Sequence, residues 1–146
     1  MAVSIRKVTL WRTEVEHRPG ALADLLDPLA SAGADLQIVM GYRIPGQKDR
    51  AIIEVAPVGT RRAAQAGRSA GLAPGGAPAL LVLGDNRPGL ANRIARALAD
   101  SGVNIAFLVA QVVGRRYSAV FGFESEADLD KAVDRIRAAV TSRARR

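Results

Sequence analysis

Residues 84–90 read GDNRPGL, and residues 15–21 read VEHRPGA. Each stretch sets Arg-Pro-Gly, at 18–20 and at 87–89, between a polar residue and an apolar periodic run, 69 positions apart. Sliding the chain by that interval aligns it on itself without a gap. His17-Arg18-Pro19-Gly20 falls on Asn86-Arg87-Pro88-Gly89, and Leu29-Ala30 falls on Leu98-Ala99. Gly33-Ala34-Asp35-Leu36 falls on Gly102-Val103-Asn104-Ile105. The chain therefore reads as a tandem repeat, with units expected at 3–71 and 72–140 and a basic tail at 141–146.

Each unit carries the same succession of patterns. Residues 6–16 alternate polar and apolar side chains and 78–85 form a short apolar run, so both are expected to be strands. Leu22, Leu25, Leu26 and Leu29 recur at helical spacing, as do Ala91, Ile94, Ala95 and Leu98. Gly33 and Gly102 are placed to end these helices, because glycine takes the left-handed conformation without a Cβ clash. Strands are expected at 35–44 and 104–113, and third strands near 50–56 and 118–124. A second helix follows in each unit. The later one has Leu129, Ala132, Val133, Ile136 and Val140 on one face; the earlier one, RRAAQAGRSA, offers only alanines and contains Gly67. GLAPGGAP at 71–78 reads as the joint between units.

Strand–helix–strand–strand–helix predicts an α+β fold: two antiparallel sheets, each with helices on one face. Neither unit supplies an evident fourth strand after its second helix. An unpaired edge invites pairing, so each vacancy is expected to be filled by a swapped segment or by a second chain.

Composition narrows the function classes. About half of the 146 residues are apolar, enough for a buried core. The chain has no cysteine, which excludes disulfides and thiolate chemistry. It has no apolar run long enough to cross a bilayer, and the N-terminus alternates where a signal peptide is continuously apolar; a cytoplasmic protein is the expectation. The balance of 21 Lys+Arg against 14 Asp+Glu gives a charge of +7. Much of that excess lies in RRAAQAGR and TSRARR, and it reads first as a solvated face and tail.

The repeated loop feeds a strand into a helix N-terminus. Glycine there lets another molecule approach the backbone, and the N–H groups around Gly89, Leu90 and Ala91 carry partial positive charge suited to a carboxylate or phosphate. At the far end of the same helix stand Asn104 and, in the first unit, Asp35. Both also serve as ordinary turn residues, and Asn86 as a helix cap. His17, the only histidine, has no second metal ligand near it in sequence. An anion site at one end and a polar acceptor at the other together suit a small zwitterion, an amino acid.

The pattern [Asp/Glu]-[Asn/His]-Arg-Pro-Gly-[Ala/Leu], an apolar helix, then Gly-x-[Asn/Asp]-[Ile/Leu] resembles the ACT domain, a small regulatory module that binds amino acids. The likeness covers nearly the whole chain as two units. It implies ferredoxin-like units that pair side by side into a continuous sheet, with ligand held between two of them. In serine-regulated members, loop side chains and the Asn of the Gly-x-Asn-Ile turn hold the effector. The resemblance thus marks Asn86 and Asn104, the backbone at Gly89 and Leu90, and their motif neighbours Arg87, Pro88 and Ile105. First-unit counterparts are His17, Gly20, Ala21, Asp35 and Leu36. Where the family often carries a further polar residue, two before the loop Asn, this chain has Gly84 and Val15.

The resulting expectation is a non-catalytic sensor of a small amino acid, acting as a homo-oligomer, a dimer in the simplest case, with a regulated protein as a further partner. No cofactor, metal or membrane is called for. A ligand-free structural or interaction module is the second reading. Nucleic acid is the third; it is disfavoured because the sheets lack an aromatic pair at suitable spacing. No nucleophile–base pairing, P-loop or metal cluster that would mark an enzyme can be read from the chain.

Overall fold

The two halves of the repeat build separate four-stranded antiparallel sheets, yet the strands are not shared out as the repeat suggests. The computed structural model describes residues 3–141. In chain order it contains β1 (Ser4–Val8), β2 (Trp11–Glu16), α1 (Ala21–Ser31), β3 (Ile38–Arg43), β4 (Arg50–Ala56) and α2 (Arg61–Ser69). There follow β5 (Ala73–Pro74), β6 (Ala79–Asp85), α3 (Leu90–Asp100), β7 (Ile105–Val113), β8 (Arg116–Phe123) and α4 (Glu126–Thr141). The sheets run β3-β4-β2-β5 and β1-β6-β8-β7.

The expected single strand over 6–16 is thus two strands in two sheets. One compact unit is Thr9–Gly76; the other, in its described part, joins 3–8 to 77–141. These units differ from the repeat boundaries 3–71 and 72–140, because residues 3–8 go to the second and 72–76 stay with the first. The vacancies at the sheet edges are filled from within the chain. β1 pairs with β6 over Ser4↔Leu83 to Val8↔Ala79, and β5 closes the other sheet with Trp11↔Pro74 and Arg12↔Ala73. The Gly/Pro-rich joint at 71–78 therefore contains a strand. Of the basic tail, Thr141 ends α4, and 142–146 lie outside the described residues.

Helices cover one face of each sheet. In the first unit Trp11, Leu25, Leu29, Ile53, Val55 and Leu72 form the core. The alanine-only helix α2 forms after all. Thr60 caps it by accepting from the Ala63 N–H at 3.0 Å, and it packs close because it lacks bulk. A Cβ at Gly67 would already touch Trp11 at 3.5 Å and Leu29 at 3.6 Å. The Arg68 guanidinium lies 5.2 Å from the Trp11 ring centre, a cation–π contact that pins the same helix. The second unit has the larger core, built on Phe121 and Phe123 from β8, Ile94 and Leu98 from α3, and Leu129 and Ile136 from α4. Ile5 of β1 and Val3 just before it pack against this core, so the borrowed segment brings apolar surface as well as hydrogen bonds.

Both first helices end in the same way. Gly33 and Gly102 are left-handed, with φ of 78° and 73°. The Ala34 and Val103 N–H groups reach back to the Leu29 and Leu98 carbonyls, each at 3.0 Å. This is a Schellman closure, and it fixes where β3 and β7 begin.

Candidate functional site

The Arg-Pro-Gly loop is a β-turn. The Ala21 N–H donates to Arg18 O at 3.3 Å, and the Leu90 N–H to Arg87 O at 3.1 Å. Gly20 (φ 88°, ψ −11°) and Gly89 (φ 81°, ψ 2°) occupy the left-handed third position. Proline before such a glycine is the signature of a type II turn. Proline therefore precedes the helix instead of entering its first turn, and the left-handed glycine is the N-cap residue. Neither helix has a side-chain cap at this end, so Asn86 does not cap α3. Its N–H donates to Arg115 O at 2.8 Å, as the His17 N–H does to Asp49 O at 2.8 Å. These two bonds tie each loop to the hairpin beside it and leave both side chains exposed.

Identical backbones carry different electrostatics. In the first unit Arg18 folds over its own corner. Its Nη2 donates to Asp24 in the first turn of α1 at 2.7 Å, and its Nη1 to Pro19 O at 3.0 Å. The hydrogen bond to Asp24 and that carboxylate's charge raise the Arg18 pKa above its ordinary value. In the second unit the residue matching Asp24 is Arg93, so the first turn of α3 carries no acid. Arg87 turns instead to the end of α4, where its Nη2 donates to Val140 O at 2.6 Å.

The two ends of the helix do not converge. Asn86 precedes α3 and Asn104 follows it, beyond opposite ends of an 11-residue helix that is roughly 16 Å long at about 1.5 Å per residue. Asn104 Nδ2 donates to Glu124 Oε1 at 3.1 Å, and Asp35 is exposed. Pro88 is exposed, Leu90 is buried beneath the corner, and Ile105 and Leu36 are half-buried at the strand starts. Within one unit, then, the loop residues group together, and Asn104, Ile105, Asp35 and Leu36 lie elsewhere.

Hollows adjoin both corners. In the first unit a cleft of about 250 Å³ runs between the loop and the edge strand, lined by His17, Arg18, Ala21, Leu22 and Tyr42 among others. A shallower hollow beside the second loop is lined by Asp85, Asn86, Gly114 and Arg115. On the helix side of that loop lies a cavity of about 410 Å³ whose wall includes Asp85, Arg87, Leu90 and Tyr117. Tyr117 is 4% exposed, its hydroxyl has no hydrogen-bond partner, and burial pushes its pKa up.

Sequence reasoning passed over Tyr117 and also Glu54. The Glu54 carboxylate is 3% exposed in β4; the Tyr42 hydroxyl donates to it at 3.3 Å, and Arg12 Nε lies 3.9 Å away. An acid inside the apolar run AIIEVA was the signal available for Glu54. Tyr117 had none, since tyrosine suits any strand. The edge strands were legible only as strands. β7 leaves Leu108, Val109, Val112 and Val113 exposed, Val113 by 65%. β3 does the same with Val39 and Tyr42.

Residues 79–141 match the family model of the ACT domain. No curated protein sequence matches the chain. Among solved structures, a protein of Bacteroides thetaiotaomicron aligns with a TM-score of 0.73 at 17% identity, over 91% of this chain and 88% of that one. The ligand-free regulatory subunit of aspartate kinase from Thermus thermophilus aligns with a TM-score of 0.62 at 16% identity, over 94% and 95%. The corresponding subunit from Thermus flavus gives 0.57 at 17%, over 96% and 97%. At these identities the likeness is one of fold. The family match thus covers the second half of the chain, and the chain as a whole has two antiparallel four-stranded sheets with four helices, a fold consistent with two ferredoxin-like ACT units. Among the described residues no helix is long and apolar enough to cross a membrane.

Proposed function

We propose that this ACT-domain protein is a non-catalytic sensor that binds a small amino acid between two of its units and passes the signal through assembly or to a regulated protein. The observation that carries the reading is the uncapped helix N-terminus behind a left-handed glycine, built twice by the same turn. Ala21 and Leu90 spend their N–H groups on the turn carbonyls, and the N–H groups that follow them, with the partial positive charge of the helix end, favour a carboxylate. The second corner is the better candidate, because no acidic side chain sits in the first turn of α3. Asn86, Gly89 and Leu90 supply the loop contacts, while Arg87 and Pro88 shape the turn.

Asn104 contributes from a neighbouring unit, since in its own unit it lies at the wrong end of α3. The site is therefore completed by an assembly, and the apolar edge β7 is the surface on which units pair. A dimer is the simplest assembly of this kind. His17, Gly20, Ala21, Asp35 and Leu36 form the weaker counterpart, where Asp24 competes with any anion for Arg18. Thermal shift with each of the twenty amino acids tests the reading, followed by calorimetry on Asn104→Ala. A bound amino acid whose affinity does not change in that variant removes Asn104 from the site.

A ligand-free interaction module is supported by two specific features: Asn104 already donates from its amide to Glu124, and Arg18 from its guanidinium to Asp24. A flat response to all twenty amino acids, with a concentration-dependent mass in sedimentation, selects that reading.

A further inference from the structure

We propose that the end of the second unit that carries its Arg-Pro-Gly corner is a docking surface for the phosphate backbone of a double-stranded nucleic acid, built from Arg87, Arg93, Arg115, Arg116 and Arg137. The surface works through charge and stands whether or not an amino acid binds at the corner.

The topology sorts the charges of this unit into two ends. At one end β6 runs into the loop, α3 begins, the β7–β8 hairpin turns and α4 finishes. The Asn86 N–H bond to Arg115 O, the Asp85↔Arg116 register pair and the Arg87 bond to Val140 O hold these pieces together. Five arginines gather there: Arg87 in the loop, Arg93 in the first turn of α3, Arg115 and Arg116 at the hairpin, and Arg137 one turn before the end of α4. Asp85 is the acid among them, and Arg116 engages it at 2.8 Å. At the other end α3 finishes in Asp100, β8 gives way to Glu124, and α4 starts with Glu126, Asp128 and Asp130. The cations at that end are Lys131 and Lys7, the latter paired with Asp130 at 2.6 Å.

The repeat supplies an internal comparison. The described residues of each unit hold seven Asp+Glu, against eight Lys+Arg in the first and ten in the second. The totals are close, but the placement is not. In the first unit Glu14, Glu16 and Asp24 stand at the corner end, where Arg18 and Arg50 pair with them. Two positions show the exchange directly: α1 exposes Asp24 and Asp27 where α3, 69 residues on, carries Arg93 and Arg96. A general bias toward arginine would charge both corners alike. Past Thr141, where α4 ends, the sequence continues with SRARR and three more arginines.

Chemistry selects the occupant. All five cations are arginine, whose planar fork meets a phosphate through two parallel hydrogen bonds. A duplex presents about one negative charge per 1.7 Å of its axis, so one such surface faces several phosphates at once. The rings that stack on unpaired bases or enter a bilayer interface are lacking. Among the described residues at this end the aromatic is Tyr117, which is buried, and the exposed apolar side chains are the short Val112 and Val113. Reading single strands needs an aromatic pair on the sheet, whereas holding a duplex backbone does not.

The test is fluorescence anisotropy of a short labelled DNA duplex titrated with the full chain. The expected result is binding at low salt that falls roughly a hundred-fold between about 50 and 200 mM salt, as about four phosphate contacts require. Arg115→Ala with Arg137→Ala should weaken binding about ten-fold or more and lower the slope of log affinity against log salt by about two. Arg43→Ala with Lys48→Ala removes the same charge from the first corner and should leave both readings unchanged. All four side chains are exposed, so melting temperatures should hold and separate binding from folding. No binding to the duplex, or equal losses in the two double variants, overturns the proposal. Binding that survives the Arg115 and Arg137 changes and vanishes on removal of residues 142–146 also overturns it, and assigns the affinity to the tail alone. Capture by phosphatidylserine vesicles or poly-L-glutamate as tight as by the duplex overturns the choice of occupant.

Discussion

The two Arg-Pro-Gly corners share a backbone and differ in what their arginines do. Arg18 is exposed and neutralises Asp24 on its own helix, so the first corner is electrostatically closed upon itself. Arg87 is half-buried and reaches across to the end of α4, which joins the loop to the helix layer. Repetition of a motif therefore preserved a turn without preserving its wiring. A short loop fixes dihedral angles through Pro and Gly, whereas a long side chain chooses its partner from whatever the neighbouring elements present.

Their supporting sheets differ in the same sense. The second unit takes a five-residue strand from the start of the chain, and the first makes do with two residues of β5. Deleting residues 3–8 should be the most damaging change. It strips Val3 and Ile5 from the second core and bares β6, for a loss on the order of 3 kcal/mol or more in that unit. Chemical denaturation followed by near-ultraviolet circular dichroism measures it. Fluorescence from Trp11, the only tryptophan, reports the first unit, and its transition should move less.

Gly122→Ala separates the units again. A Cβ there would overlap the Phe107 ring, which lies across the glycine, and the forced repacking should cost about 1–3 kcal/mol. The measurement is the denaturation midpoint, with the tryptophan-reported transition as internal control.

The arginines can be compared directly. Arg87→Ala removes a charge-assisted hydrogen bond to a half-buried carbonyl and should cost about 1.5 kcal/mol, little affected by salt. Arg18→Ala breaks an exposed ion pair and should leave the melting temperature nearly unchanged at moderate salt. Equal effects would show that the two corners are wired alike in solution.

The smallest effect expected is a pH dependence. Burial raises the Tyr117 pKa above 10.0 in the folded protein. The unfolded chain therefore loses its proton first as pH rises. The stability linked to this group is complete below pH 10 and declines as pH climbs from there through the folded value. Tyr117→Phe should flatten that decline in a melting series across the alkaline range.

Much of this architecture was legible in the chain. The 69-residue repeat, the leucine and alanine stripes and the paired glycines carry α1 and α3 with their Schellman ends, because those features act within a few residues of themselves. The break within 6–16 was not legible. An alternating strand looks the same whether it serves one sheet or two, and only the partners β4 and β6 separate β1 from β2. Helix α2 was undersold by its alanines, since its stability comes from close approach to Trp11 instead of from bulk. The site was legible only in part. The loop residues were identified as a group, but their separation from Asn104 depends on helix length in space.

By itself, then, the sequence determined the duplicated strand–turn–helix unit, because glycine and proline restrict the backbone wherever they occur. Tertiary structure alone decided which sheet the first strand joins, where each arginine points and where space remains. Those outcomes follow from contacts between residues far apart in the chain, and no local preference encodes them.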